Sequence, residues 1–224
     1  MKKIDIAGYT LLTLVFGLGL YFGFTDPDYF NTVFTVEDGL VEYGTTAMML
    51  LVSLLCLYRL IRLWRFTGIA WKIGVLGFAL LFFFGAGEEI SWGQRIFNVE
   101  SGEFFLKNNA QSETNLHNLV VSGKKINKLI FSQLLLLVMI VYLLILPVLY
   151  RKTRRIALLA DRFAVPVVKW HHTIAFVLAT LLVLLIPSDR KWEVYELAFG
   201  LLFFLIFLHP FNAAIYRKKA SFFS

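Results

Sequence analysis

Residues Ile73–Arg95 read IGVLGFALLFFFGAGEEISWGQR, and what this stretch is decides the fold. Up to Gly87 it carries no polar side chain. Then come two adjacent carboxylates, Glu88 and Glu89, followed by Ser91, Trp92, Gln94 and Arg95. A membrane-crossing helix needs about 20 predominantly apolar residues, and the run from about residue 70 to 90 supplies them. The stretch therefore reads as a transmembrane helix that ends in a polar string.

The rest of the chain agrees. Of its 224 residues 58% are hydrophobic and 17% charged, and the mean hydropathy is +0.71. Soluble domains sit near 45–50% apolar and about 25% charged. One cysteine, Cys56, excludes a disulfide framework and a cysteine-based zinc site. The net charge of +7 comes from short basic clusters between apolar runs, which is a topology signal and not a nucleic-acid stripe. No cleavable signal peptide is expected at the start.

Six spans are expected, at about 7–24, 40–60, 70–90, 129–150, 170–187 and 194–215. The expected fold class is all-α: one integral membrane helix bundle over 1–224, with a polar loop at 91–128. In lipid every backbone amide must be bonded within its own segment, so these runs are helices. Most of the 22 Lys and Arg residues then fall on the side of the termini, including Arg59, Arg62, Arg65 and the run Arg151–Arg155. That bias places both termini in the cytoplasm and the 91–128 loop outside. On this topology all of the 15 acidic residues except Asp5 and Asp161 lie on the outer side. Asp38 and Ser188 or Asp189 are expected as helix caps.

Caps do not explain Glu42, Glu88, Glu89 and Glu196. Glu42 lies a turn inside the second span. Glu196 lies two turns into the sixth, paired at i, i+3 with Glu193. Glu88 and Glu89 close the third, where a helix C-terminus disfavours negative charge. Carboxylates at such depth point to function. A helix running on through the opening stretch would line up Glu88, Ser91 or Trp92, and Arg95 on one face. In the loop, "NNAQSETNLHN" (108–118) sets Glu113 and His117 four apart, a spacing that suits two metal ligands or a carboxylate orienting an imidazole. His171, His172 and His209 fall on the cytoplasmic side, where interfacial or packing roles are expected.

"EDGLVE" before one span, "GEEISWGQRIF" after the next and then "NNAQSETNLHN" resemble a family of small polytopic bacterial membrane proteins. The likeness is close over about residues 37–120 and supplies no activity. The chain is also loosely similar to the alkaline ceramidase-type membrane hydrolases, which imply a metal site inside a bundle. Their late His-x-x-x-His pair is absent here.

The expectation is an intramembrane enzyme of the bacterial inner membrane whose site faces the outer leaflet. Glu88, Glu89, Glu113 and His117 would be catalytic. Glu89, Glu113 and His117 would hold a divalent metal, zinc, manganese or iron, supported by Glu42 and Glu196. Ser91, Trp92, Gln94, Arg95, Asn115 and Asn118 would bind the substrate, a membrane lipid or lipid-linked molecule undergoing hydrolysis or group transfer. Two other readings stand beside it. One is a non-catalytic subunit whose outer loop docks a membrane-protein partner. The other is an ion- or proton-coupled carrier.

Overall fold

The structure is a computed structural model that describes residues 3–116, 118–121, 124–125 and 134–217. His117, the start of the fourth expected span (129–133), and the basic residues Lys2, Lys218 and Lys219 lie outside the described residues.

Helices stand at all six expected positions. They are α1 (Lys3–Thr25), α2 (Leu40–Leu63), α3 (Ile69–Glu89), α4 (Leu136–Lys152), α5 (Arg154–Arg162), α6 (Trp170–Leu185) and α7 (Lys191–Leu208), with α5 a short addition. Three of them, α1, α2 with its 3-10 extension to Phe66, and α3, are long and apolar enough to cross a membrane. The pair α4–α5, bent by 118°, makes a fourth if it counts as one span. Helix α6 has 16 residues, and α7 brings Lys191, Glu193 and Glu196 into its first turns. The described non-helical pairing is small: Val120–Val121 runs antiparallel to Lys124–Lys125.

Helix α7 is the centre of the bundle, packed by α1, α2 and α6, while α3 packs chiefly on α2 and reaches α7 through Phe78 and Phe82, whose rings meet those of Phe203 and Phe207. Its buried face includes Val194, Leu201, Leu202, Leu205 and Ile206. The outward residues of α1, α3 and α6 are large and apolar, among them Leu14, Leu18, Leu80, Leu81, Leu181 and Leu184. That pattern inverts the soluble rule and suits a lipid surround.

Helix directions explain why the carboxylates gather. Gly44 of α2 lies against Leu197 of α7, and Met48 against Gly200, so α2 and α7 run parallel. Met49 lies against Gly85, and Ser53 donates a 2.8 Å hydrogen bond to the carbonyl of Ala79, so α3 runs antiparallel to both. The start of α2, the end of α3 and the start of α7 therefore meet at one end of the bundle. This end carries Glu42, Glu89, Glu193 and Glu196.

Helix α3 also touches the turn after α5 at Gly74, where an added Cβ would overlap the carbonyl oxygen of Phe163. No side-chain rotation can relieve a clash with backbone. Gly74→Ala is therefore expected to destabilise the protein by about 3 kcal/mol, read as a lowered thermal midpoint in detergent; an unchanged midpoint would mean that the two segments separate freely.

Candidate functional site

The polar string after α3 does not continue the helix. Ser91, Trp92 and Gly93 all take positive φ, at 47°, 55° and 75°, so the chain turns left-handed and restarts at Gln94. Non-glycine residues pay roughly 1–2 kcal/mol each for that conformation. The expected single face of Glu88, Ser91 or Trp92, and Arg95 is thereby corrected: the turn throws Arg95 back over the start of α2. Trp92 folds onto the helix it has just left. Its Nε1 donates to Oε1 of Glu88 at 2.9 Å, and its ring covers Gly87 so closely that a Cβ there would meet it at 2.8 Å.

Arg95 is the hub of this end. Its Nε lies 2.6 Å from Oδ2 of Asp38, its Nη2 lies 2.9 Å from Oε1 of Glu42, and its Nη1 donates to Oε1 of Glu113. Burial alone would lower its pKa, but hydrogen bonds to Glu113 and Asp38 and the charges of Glu113 and Glu42 carry it above the ordinary guanidinium value. Asp38 is no helix cap. It sits at φ 57°, Gly39 takes the N-cap position without a side-chain bond, and the Asp38 carboxylate serves Arg95 instead.

The loop motif closes on the same hub. Glu113 accepts from Ser91 Oγ at 2.6 Å, and Asn115 Nδ2 donates to that same Oγ at 2.8 Å. The amide of Leu116 donates to Oε2 of Glu88 at 2.6 Å. Gln94 Oε1 accepts from the amide of Thr114 at 2.7 Å and from Ser101 Oγ at 3.0 Å. Asn118 donates through its amide to Asn115 Oδ1 at 3.2 Å and through Nδ2 to Gln111. Glu88, Ser91 and Asn115 are buried. Buried polar groups must be bonded, and here the loop and the turn satisfy each other.

Glu89 stands apart. Adjacent residues on a helix lie about 100° apart, so while Glu88 faces the loop, Glu89 faces α7. There it joins Glu193 and Glu196, with ligand oxygens all within 4.8 Å of one another. Glu89 and Glu193 are half-buried, and Glu196 is exposed on the bundle's side. Among the described residues, the cation within ion-pair distance of this group is Arg190, 3.7 Å from Glu193. Glu42 lies between the two clusters: it bonds Arg95 and also acts electrostatically on Glu89 and Glu196.

The structure thus divides the expected residues. Glu88, Ser91, Trp92, Gln94, Arg95, Glu113, Asn115 and Asn118 share one network with Glu42. Glu89 and Glu196 share another with Glu193, and Glu113 is not among their neighbours at ligand distance. Sequence reading missed Asp38, Ser101 and Asn109 as members of the first network, because hydrogen-bond partners in an irregular loop follow no period. Compared with protein-family models, with curated proteins and with solved structures, the chain matches none.

Proposed function

We propose that the chain is a cation-dependent enzyme of the bacterial inner membrane, acting on a lipid or lipid-linked head group at the outer leaflet. The observation that carries this reading is the group Glu89, Glu193 and Glu196: three carboxylates from two helices with oxygens inside 4.8 Å and one partial counter-charge. Carboxylates this close repel one another when ionised, and a cation or a proton would relieve that repulsion. In this reading all six helices span the membrane, the termini are cytoplasmic, and the acid end faces outward, as the Lys and Arg bias requires.

An all-oxygen donor set suits a hard cation, so of the three metals expected from the sequence manganese fits better than zinc or iron. Two oxygens on one such ion stand roughly 3–4.2 Å apart, given bonds of about 2.1 Å, so a small side-chain adjustment would complete the site. A bound divalent cation supplies Lewis acidity toward a phosphoryl or carbonyl oxygen. Glu89, Glu193 and Glu196 would hold it. Glu42, whose Oε1 meets Arg95 and whose Oε2 accepts from the Asp38 amide, would be the base that accepts a proton from an attacking water. His117 follows Leu116, whose amide bonds Glu88, and remains the candidate imidazole. Arg95 has all three nitrogens engaged by carboxylates, so its part is to hold the loop over the site.

The test is turnover of head-group-labelled lipids by the purified chain in liposomes, with manganese or with chelator. Product is expected with manganese, reduced at least about 100-fold in Glu89→Gln and absent in chelator. Manganese binding without turnover of any lipid class would remove the enzyme. A second reading, the non-catalytic subunit, draws support from how completely the loop motif satisfies its own polar groups. Stable co-purification of one membrane protein, lost on changing exposed residues such as Phe97 and Phe104, would favour it.

A further inference from the structure

At the end of the bundle opposite the acid group, α4 stops at Lys152 and the chain turns by 118° into α5. A turn beyond a right angle folds α5 back beside α4. The corner between them is an open groove of about 410 Å³ whose lining is apolar throughout. Val141, Ile145 and Leu149 line it from α4, and Ile156, Leu159 and Ala160 from α5. The first three are spaced i, i+4, i+8 and make one stripe about 12 Å long down the helix. Val141, Ile145, Leu149 and Leu159 keep 40–54% of their surface uncovered. The corner is held open from behind: Asp161 Oδ1 accepts from the Tyr150 hydroxyl at 2.9 Å and from Asn212 Nδ2 at 2.8 Å.

The rim of the groove is cationic. Helix α5 is amphipathic, with Arg154, Arg155 and Arg162 around the helix from its groove face, and Lys152 stands at the turn. The acids of this end are committed elsewhere: Asp161 to the two donors just named, and Asp5 to His209, whose Nδ1 lies 2.6 Å from Oδ1. Arg151 is committed as well. It donates to the carbonyls of Pro147 and Val168, and its guanidinium lies over the rings of Phe211 and Trp170. Lys152, Arg154, Arg155 and Arg162 are exposed, and among the described residues none is within ion-pair distance of a carboxylate. The N-cap residue Thr153 makes no side-chain bond to the first amides of α5, so the helix start adds donors suited to a phosphate.

We propose that this corner binds an anionic phospholipid, one acyl chain lying in the α4–α5 groove and the phosphate meeting Lys152, Arg154 and Arg155. The chemistry selects the occupant. A free anion matches the rim and leaves the groove empty, and a neutral lipid fills the groove without answering the charge. A basic amphipathic helix beside a membrane-crossing one draws anionic head groups, and here the apolar corner gives the attached chain a fixed place. The site shares no residue with the acid cluster, so it stands or falls independently of the function proposed above.

The test is native mass spectrometry of the full chain, released from detergent after equilibration with phosphatidylglycerol or with phosphatidylcholine of the same chains. The wild type is expected to retain one phosphatidylglycerol at about tenfold lower lipid concentration than phosphatidylcholine. Arg154→Gln combined with Arg155→Gln removes two charges and is expected to abolish that preference. Leu159→Trp fills the groove without touching the charge and is expected to release the retained lipid of either kind. All three positions are exposed, so the thermal midpoint should hold in both variants. Arg62→Gln combined with Arg65→Gln removes two charges from another exposed basic cluster of the same end and should leave retention unchanged. Equal weakening by that pair would reduce the effect to diffuse attraction and overturn the proposal. Retention that survives Leu159→Trp would overturn it too, and so would a dimer that Leu159→Trp dissolves, since a second copy would then fill the groove.

Discussion

Arg95→Met is expected to destabilise the protein by about 3–5 kcal/mol, the range for leaving charge buried without its partner. Methionine keeps the apolar stem of the arginine but ends where the guanidinium begins, so it deletes the charge together with the N–H donors that meet the three carboxylates. Three carboxylates then face one another, those of Glu42 and Glu113 with only 8% and 12% of their side chains exposed. Asp38 is more open, at 33%, and recovers some hydration, which moves the expectation toward the lower end. Arg95→Lys is expected to restore little, because a point ammonium cannot meet three oxygens arrayed around a planar fork. Chemical and thermal unfolding in detergent reads the stability. Limited proteolysis at residues 98–112 reads the loop, which should be cut far faster in Arg95→Met. A loss below about 1 kcal/mol would mean that the four groups behave as an ordinary solvated surface network.

This expectation also marks where sequence reading reached and where it stopped. Helix positions were legible because lipid imposes one pattern, long apolar runs, and α1, α2 and α3 lie within a few residues of the expected bounds. The place of Glu42, Glu89 and Glu196 near the ends of apolar helices was legible too, since each is counted in turns from the end of an apolar run. What could not be read was the break after Glu89. "SWGQR" has no proline and only one glycine, and nothing in its composition requires Ser91 and Trp92 to turn left-handed. They do so because the loop from Asn109 to Leu116 offers bonds to Ser91, Glu88 and Gln94 that a continuing helix could not reach. That turn lets the loop close on Glu88 and moves Glu113 from the expected metal group to Arg95, while Glu89, about 100° around the same helix, faces α7. The pairing of Asp5 with His209 was equally hidden. It joins the two ends of the chain and depends on α1 and α7 packing antiparallel, which no local pattern announces.

Glu196→Gln separates a cation centre from a chance meeting of acids, because the two ideas give opposite signs. If the group exists to hold a divalent cation, the chelated wild type carries unrelieved repulsion among Glu89, Glu193 and Glu196. Removing one charge then stabilises the chelated protein and raises its thermal midpoint. The same change deletes a ligand, so added manganese should no longer stabilise. In the wild type, manganese at about 100 times its dissociation constant contributes about 2.7 kcal/mol by mass action. The variant should lose nearly all of that gain while starting from a higher baseline. Glu103→Gln serves as the control: its side chain is 90% exposed and pairs at 3.6 Å with Lys107, itself 75% exposed, so neither the baseline nor the response to manganese should move. A cluster without a cation predicts the higher baseline alone, with wild type and variant both indifferent to manganese. A structural role for Glu196, bonded where it stands, predicts a lower baseline. Only the pairing of a raised midpoint in chelator with a lost response to manganese supports the centre, and either half without the other removes it.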